Sequence, residues 1–332
     1  MAAIGGIPVG ILGTGSYLPE KKLTNFDLER IVDTSDEWIV ERSGIRTRRV
    51  VSEGESNVSL AERASGDALR DAGVEPDDVD MVMVGTNSPD RLLPGVGPIL
   101  QSKLGASRAG GMDIQAGCPG ALYGMVIAAG GIASGIWNNV VVTGSEAMSR
   151  LVDWTHRSTC VLFGDGAGAC VMGKWRPGSI KITHTDLTAD GSSCEMITLP
   201  AGLAAEPATE ETVRNRRHFI KMDGADVFKY VNRKIPAYLE KFCESCGINT
   251  KDVDLWIFHQ ANMRILEGIT RRLRIPFEKL VNNVDKYGNT CAASTMIGLH
   301  EAWKDGRINP GQRVLMCSFG AGMTYGAILM ES

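Results

Sequence analysis

Four short apolar runs punctuate the chain: Val79–Val84, Val140–Thr143, Leu255–Phe258 and Val314–Cys317. Runs of this length, rich in Val, Ile, Leu and Met, predict strands buried on both faces. Between them lie helical patterns at Leu60–Ala72, Gly120–Ser134, Val227–Cys243, Met263–Leu273 and Ser294–Trp303. Thr34 and Glu37 have the spacing of a capping box, which predicts a helix from there through Arg42. Strands alternating with helices predict an α/β fold, a mixed or parallel sheet covered by helices.

One stretch needs separate reading. Ile114 to Ser145 carries no Asp, Glu, Lys or Arg, but glycines, Pro119 and Asn138-Asn139 interrupt it. A membrane span needs about 20 strongly apolar residues. A buried helix followed by a buried strand accounts for it better.

The pattern also repeats. Asp78-Val79-Asp80-Met81-Val82-Met83 resembles Asp252-Val253-Asp254-Leu255-Trp256-Ile257, and both follow a helix and a glycine turn. Later segments correspond at the same offset of roughly 170–180 residues, the size of one domain. The chain is therefore expected to be a duplication, residues 1–174 and 175–332, joined near Arg176-Pro177-Gly178. Asp113–Cys118 aligns approximately with Asp285–Thr290, each expected to be a strand end turning into a helix. If the halves pack about a pseudo-twofold axis, these turns face one another. Helix N-termini there would favour thiolates and oxyanions.

Composition narrows the function. The 332 residues carry 35 bases and 39 acids, a net charge of −4, and no nucleic-acid footprint. Met1–Glu20 has no basic n-region, so a signal peptide is not expected. Eight cysteines in this length are not a disulfide framework, and they read as reduced thiols of a cytoplasmic protein. Glycine is the outlier, at 39 residues against a usual share of about 7%. The excess marks tight turns and close backbone approaches.

Chemistry gathers at a few positions. Cys118 precedes Pro119, a residue suited to the first helical position. Cys118 then lies at or beside a helix N-cap, where a thiol becomes more acidic and nucleophilic. A small buried residue beneath a helix is an equally simple reading. His259 ends the apolar strand Leu255–Phe258, where loops build sites, whereas His156, His184, His218 and His300 are less telling. Asn289 lies in a Gly-Asn turn before small residues, and Gly320-Ala321-Gly322 is a glycine turn between apolar runs. Cys243 and Cys246 lack the second spaced His of a zinc site. Gly164-Asp165-Gly166-Ala167-Gly168 lacks the Lys and Ser/Thr of a P-loop and reads as close packing between the halves. His259 stands 141 residues after Cys118, a papain-like spacing, but the papain signature around the cysteine is missing.

Further motifs occur in order: Gly13-Thr14-Gly15-Ser16-Tyr17-Leu18-Pro19, Asp33-Thr34-Ser35-Asp36-Glu37-Trp38-Ile39, Phe163-Gly164-Asp165-Gly166-Ala167-Gly168-Ala169, His259-Gln260-Ala261-Asn262, Gly288-Asn289-Thr290 and Asp305-Gly306-Arg307-Ile308. With Cys118 they resemble β-ketoacyl-acyl carrier protein synthase III, a condensing-enzyme family of the thiolase fold, nearly end to end. The resemblance implies a homodimer of duplicated αβαβα halves in five layers, and the triad Cys118, His259 and Asn289. It implies an acyltransferase without metal or resident cofactor, with acyl-CoA as substrate. Cys118 would take the acyl group. Malonyl-acyl carrier protein would then lose carbon dioxide, and its carbanion would attack the thioester to give a 3-oxoacyl product. His259 and Asn289 would donate to the enolate oxygen, and the N–H groups of Cys118 and Ala321 would form the oxyanion hole. Thr34, Trp38, Arg42, Arg157 and Asn262 would contact CoA and its pantetheine arm. Arg264, Arg271 and Arg272 would dock the acidic carrier protein; a solvated helix face is the plainer reading.

The chain departs from the family pattern at Gln115, Gly117 and Pro119, and Leu93 stands where an aromatic from the partner subunit commonly closes the acyl pocket. A starter other than acetyl is expected from Leu93 and Gly117. A related acyltransferase of specialised metabolism and a non-catalytic partner subunit are the alternative readings; the intact triad argues against the latter.

Overall fold

A computed structural model describes residues 2–332. Nine main strands run along the chain: β1 (Val9–Tyr17), β2 (Met81–Gly85), β3 (Gly110–Ile114), β4 (Asn139–Glu146), β5 (Gly166–Lys174), β6 (Ile180–Ala189), β7 (Leu255–Phe258), β8 (Arg313–Gly320) and β9 (Thr324–Glu331). The helices that shape the core are α1 (Asp36–Ser43), α2 (Asn57–Ala72), α3 (Val96–Lys103), α4 (Gly120–Ala133), α5 (Gly224–Ser245), α6 (Met263–Leu273) and α7 (Ser294–Lys304). The strands join in the order β7-β8-β9-β6-β1-β5-β4-β2-β3, and Ala2–Ala3 pairs with β6.

The order repeats on the two sides of the centre. On each side the last strand, β5 or β9, lies antiparallel between the first strand and the next-to-last. The second strand, β2 or β7, lies parallel outside the next-to-last. Where β3 follows β2, the other side has only a parallel bridge from Trp256 to Leu280. At the centre β1 meets β6 antiparallel, Val9–Ile11 against Ile180–Ile182. Antiparallel pairing of corresponding strands is the geometry of a twofold axis.

Successive strand residues point to opposite faces, and here both faces are apolar. Val140 and Val142 pack into a core shared with α4 and α7, while Val141 packs toward α2 and α3. Leu255 and Ile257 join the same middle core, while Trp256 and Phe258 pack toward α5 and α6. Layers of α2/α3, sheet, α4/α7, sheet and α5/α6 result. The uncharged stretch from Ile114 to Ser145 is the end of β3, the buried α4 and most of β4. Among the described residues no helix is long and apolar enough to cross a membrane.

Two local expectations are corrected. The cap of α1 is Ser35, whose hydroxyl accepts from the Trp38 amide at 3.2 Å; Thr34 and Glu37 form no capping box. The chain enters the helix one residue later, with Asp36 anchored by the Asn25 amide at 2.8 Å. Residues 285–290 do not begin as a strand end. Val284–Tyr287 is one helical turn, because the side-chain carbonyl of Gln260 takes the amides of Asn283 and Val284 at 3.0 and 3.1 Å.

The glycine cluster 164–168 packs as the pattern suggested. A Cβ on Gly168 would stand 2.6 Å from the Ile297 nitrogen in α7. The backbone there cannot yield, so Gly168→Ala is expected to destabilise the fold by about 1–3 kcal/mol, as overpacking does. Gly130, exposed within α4, has nothing near its absent Cβ, so Gly130→Ala should stabilise by about 0.5–1 kcal/mol. Thermal melting of the two variants checks this: opposite signs are expected.

Candidate active site

Cys118 stands just before α4. Pro119 is the N-cap and Gly120 the first helical residue, so Pro119 lies one position earlier than its fixed φ suggested. The first amides of α4 direct their partial positive charge at this turn. Gly117 adopts φ +62°, and a Cβ there would meet the Ala321 carbonyl oxygen at 2.7 Å. This glycine is a backbone requirement rather than extra room in the pocket. Gly320, at the end of β8, lies so close that a Cβ would fall 2.9 Å from the Cys118 sulfur. Cys118 is 8% exposed, and among the described residues its amide bonds to no backbone carbonyl.

His259 follows β7 and is 1% exposed. Its Nδ1 is 2.6 Å from Ser294 Oγ, which accepts from the Gln260 amide at 3.3 Å. When Ser294 directs its O–H at Nδ1, the imidazole proton sits on Nε2. Asn289 approaches from the turn before α7. Its Oδ1 accepts from the Cys291 amide at 2.8 Å, which leaves Nδ2 as the free donor. The Asn289 amide donates to Leu162 at 2.8 Å and its carbonyl accepts from Gly164 at 3.0 Å. Two helix starts, α4 and α7, thus meet across the site.

The charges around the sulfur favour its anion. A hydrogen bond from Cys291, 3.2 Å away, and the imidazole of His259 hold the Cys118 thiol well below the usual thiol range, against burial. Behind them Glu146 is fully buried at the end of β4. Burial pushes its carboxyl up to about 7, although Ser88 and Asn87 donate to it. Neither Cys291, Asn87, Glu146 nor Ser294 was singled out from the sequence. Asn87 and Glu146 carry one recognisable signal: polar residues at the C-terminal ends of parallel strands, where α/β sites form.

A cavity of about 970 Å³ opens over the sulfur. Cys118, His259, Asn289, Ala321, Gln115, Trp38, Arg42, Asn262 and Arg264 line it. Of the five histidines only His259 does so. The Arg157 guanidinium stacks on Trp38 at 4.7 Å from the ring centre. Thr34 and Leu93 do not line the cavity of the chain, and Leu93 is 83% exposed. That exposure leaves Leu93 free to meet a partner subunit. Arg271 and Arg272 lie exposed in the last turn of α6, seven and eight residues beyond Arg264. Among the described residues no three metal-ligating side chains cluster.

Comparisons with known proteins agree with this geometry. Residues 112–191 match the family model for 3-oxoacyl-[acyl-carrier-protein] synthase III, and residues 243–332 match the model for its C-terminal part. A β-ketoacyl-[acyl-carrier-protein] synthase III from Caldanaerobacter subterraneus subsp. tengcongensis is 45% identical over 325 residues, 98% of each chain. The crystal structure of 3-oxoacyl-[acyl-carrier-protein] synthase III from Aquifex aeolicus VF5 superposes with a TM-score of 0.89 at 41% identity, covering 98% of this chain and 100% of that one. The priming β-ketosynthase of the R1128 polyketide pathway gives a TM-score of 0.90 at 30% identity, covering 100% of this chain and 98% of that one. The repeated strand order, the two facing helix starts and the matched sequence lead to one assignment: the chain belongs to the 3-oxoacyl-[acyl-carrier-protein] synthase III family and has its thiolase fold.

Proposed function

We propose that this chain catalyses a two-stage condensation, in which Cys118 carries the acyl group between acyl-CoA and malonyl-acyl carrier protein. The observation that carries this reading is a buried thiol at a helix start, lining one cavity with His259 and Asn289. In the first stage the thiolate attacks the acyl-CoA carbonyl and the CoA thiolate leaves. The amides of Cys118 and Ala321 stabilise the oxyanion, each worth about 2.7–4 kcal/mol. In the second stage the malonyl group loses carbon dioxide. The enolate oxygen accepts from Nε2–H of His259 and Nδ2–H of Asn289, and its carbon attacks the thioester. The 3-oxoacyl product departs and the Cys118 thiolate is regained.

The remaining residues serve delivery. Trp38 and Arg157 flank the CoA adenine, for which the guanidinium must move off the indole. Thr34 and Arg42 contact CoA, and Asn262 guides its pantetheine arm. Arg264, with Arg271 and Arg272 on the outward side of α6, steers the acidic carrier protein. The working unit is a homodimer in which Leu93 enters the partner subunit's acyl pocket, and residues 1–174 and 175–332 are the two halves of each protomer. The apolar inner wall of the cavity, with Met148, Leu151, Ile220 and Met222, favours a starter larger than acetyl. The likeness to a priming ketosynthase supports a second reading, in which the same Cys118 thioester feeds a specialised product.

Cys118→Ala is expected to abolish acyl transfer from labelled acyl-CoA; retained transfer contradicts the assignment. His259→Ala and Asn289→Ala should each keep acylation but slow condensation by about 100-fold or more, the scale of a lost transition-state donor. A stopped reaction that separates enzyme-bound acyl from product reads both stages. Loss of both stages together would contradict the separate roles. Acetyl-, isobutyryl- and hexanoyl-CoA compared as starters should favour the larger acyl groups, and a clear preference for acetyl-CoA sinks that expectation.

A further inference from the structure

Cys291 is the second sulfur of the site. It follows Asn289 by two residues and reaches Cys118 from the opposite helix start, sulfur to sulfur 3.2 Å. Its own sulfur lies 3.2 Å from Nδ2 of Asn87. Asn87 is held in turn, donating to Glu146 at 2.8 Å and to the Gly117 carbonyl at 3.1 Å. An amide N–H only donates, and a thiolate only accepts. Nδ2 of Asn87 shares two hydrogens among these three acceptors, and with Cys118 as the nucleophilic thiolate the S–H between the two sulfurs belongs to Cys291.

We propose that Cys291 is a positioning residue for the reaction, its S–H donating to the Cys118 thiolate while Asn87 holds its sulfur in place. This rests on the reading of Cys118 as nucleophile. The groups facing the pair are His259 from the end of β7 and Glu146 from the end of β4; α4 contributes its N-terminus. They drive the two thiols apart. The bond to Cys118, burial and the Glu146 carboxyl push the Cys291 thiol well above the usual range, so it stays protonated as donor. Cys118 is pulled the other way. A second thiol is thus a built-in substitute for the water that burial excludes from the nucleophile.

The test is the pH dependence of Cys118 alkylation by iodoacetamide, followed by peptide mass spectrometry, in the full-length chain. An ordinary thiol has its midpoint near about 8.5; the wild type should reach its plateau below that pH. Cys291→Ala should move the midpoint up by about one pH unit or more and slow alkylation at pH 6.5 by about tenfold. The difference should vanish at high pH, where Cys118 is ionised in both proteins. Cys291→Ser keeps a donor and should keep the wild-type midpoint, whereas Asn87→Leu should shift it in the alanine direction. A purely structural role would lower the melting temperature and leave the midpoint unmoved. An alanine variant with the wild-type profile, or a serine variant shifted as far as alanine, overturns the proposal. If the alanine variant does not fold, an unshifted Asn87→Leu profile overturns it instead. Acylation of wild-type protein by acyl-CoA is scored in parallel: a Cys118 that alkylates at low pH but takes no acyl group defeats the proposed function and not the role of Cys291.

Discussion

Gly320 brings the end of β8 against Cys118 with no room for a methyl group between them. That close approach lets three backbone segments converge on one sulfur: the turn into α4, the end of β8 and the turn into α7. The middle layer exists to support it. α4 and α7 pack side by side in one core, drawing strand residues from both sides of the sheet. The duplicated strand order therefore has a chemical outcome. Corresponding ends of the two copies point their helix starts at the same place.

Burial and reactivity would ordinarily conflict there. Removing a thiol from water raises its pKa. The site answers with donors that need no rearrangement: a neighbouring thiol, an imidazole and a helix N-terminus. At a buried sulfur such donors act more strongly than they would in water. Ser294 and the Cys291 amide likewise hold the ring of His259 and the side chain of Asn289 in place. The reacting groups are thus aligned before substrate arrives.

Much of this was legible in the chain, and the limits have physical causes. The strand Leu255–Phe258 and the helix Met263–Leu273 have the predicted bounds, because a buried strand and an amphipathic helix each write a strong local pattern. His259 was legible as the residue that ends that strand. Thr34 misled because Ser35, beside it, caps equally well. Asp285–Thr290 misled because a side chain, Gln260, takes the amides of Asn283 and Val284 just before it and starts a helical turn there. Cys291 and Asn87 were not legible at all: they are 204 residues apart in sequence, and only the packing of the halves brings them together.

The central claim is that one sulfur stores the acyl group between two substrates. Intact-mass spectrometry of the wild-type chain tests it most directly. After acyl-CoA alone, the account predicts a gain of one acyl mass, mapped to Cys118. After malonyl-acyl carrier protein is added, that mass is lost and a 3-oxoacyl carrier protein accumulates in equal amount. An unchanged mass, or an acyl group mapped to any other residue, would contradict the account.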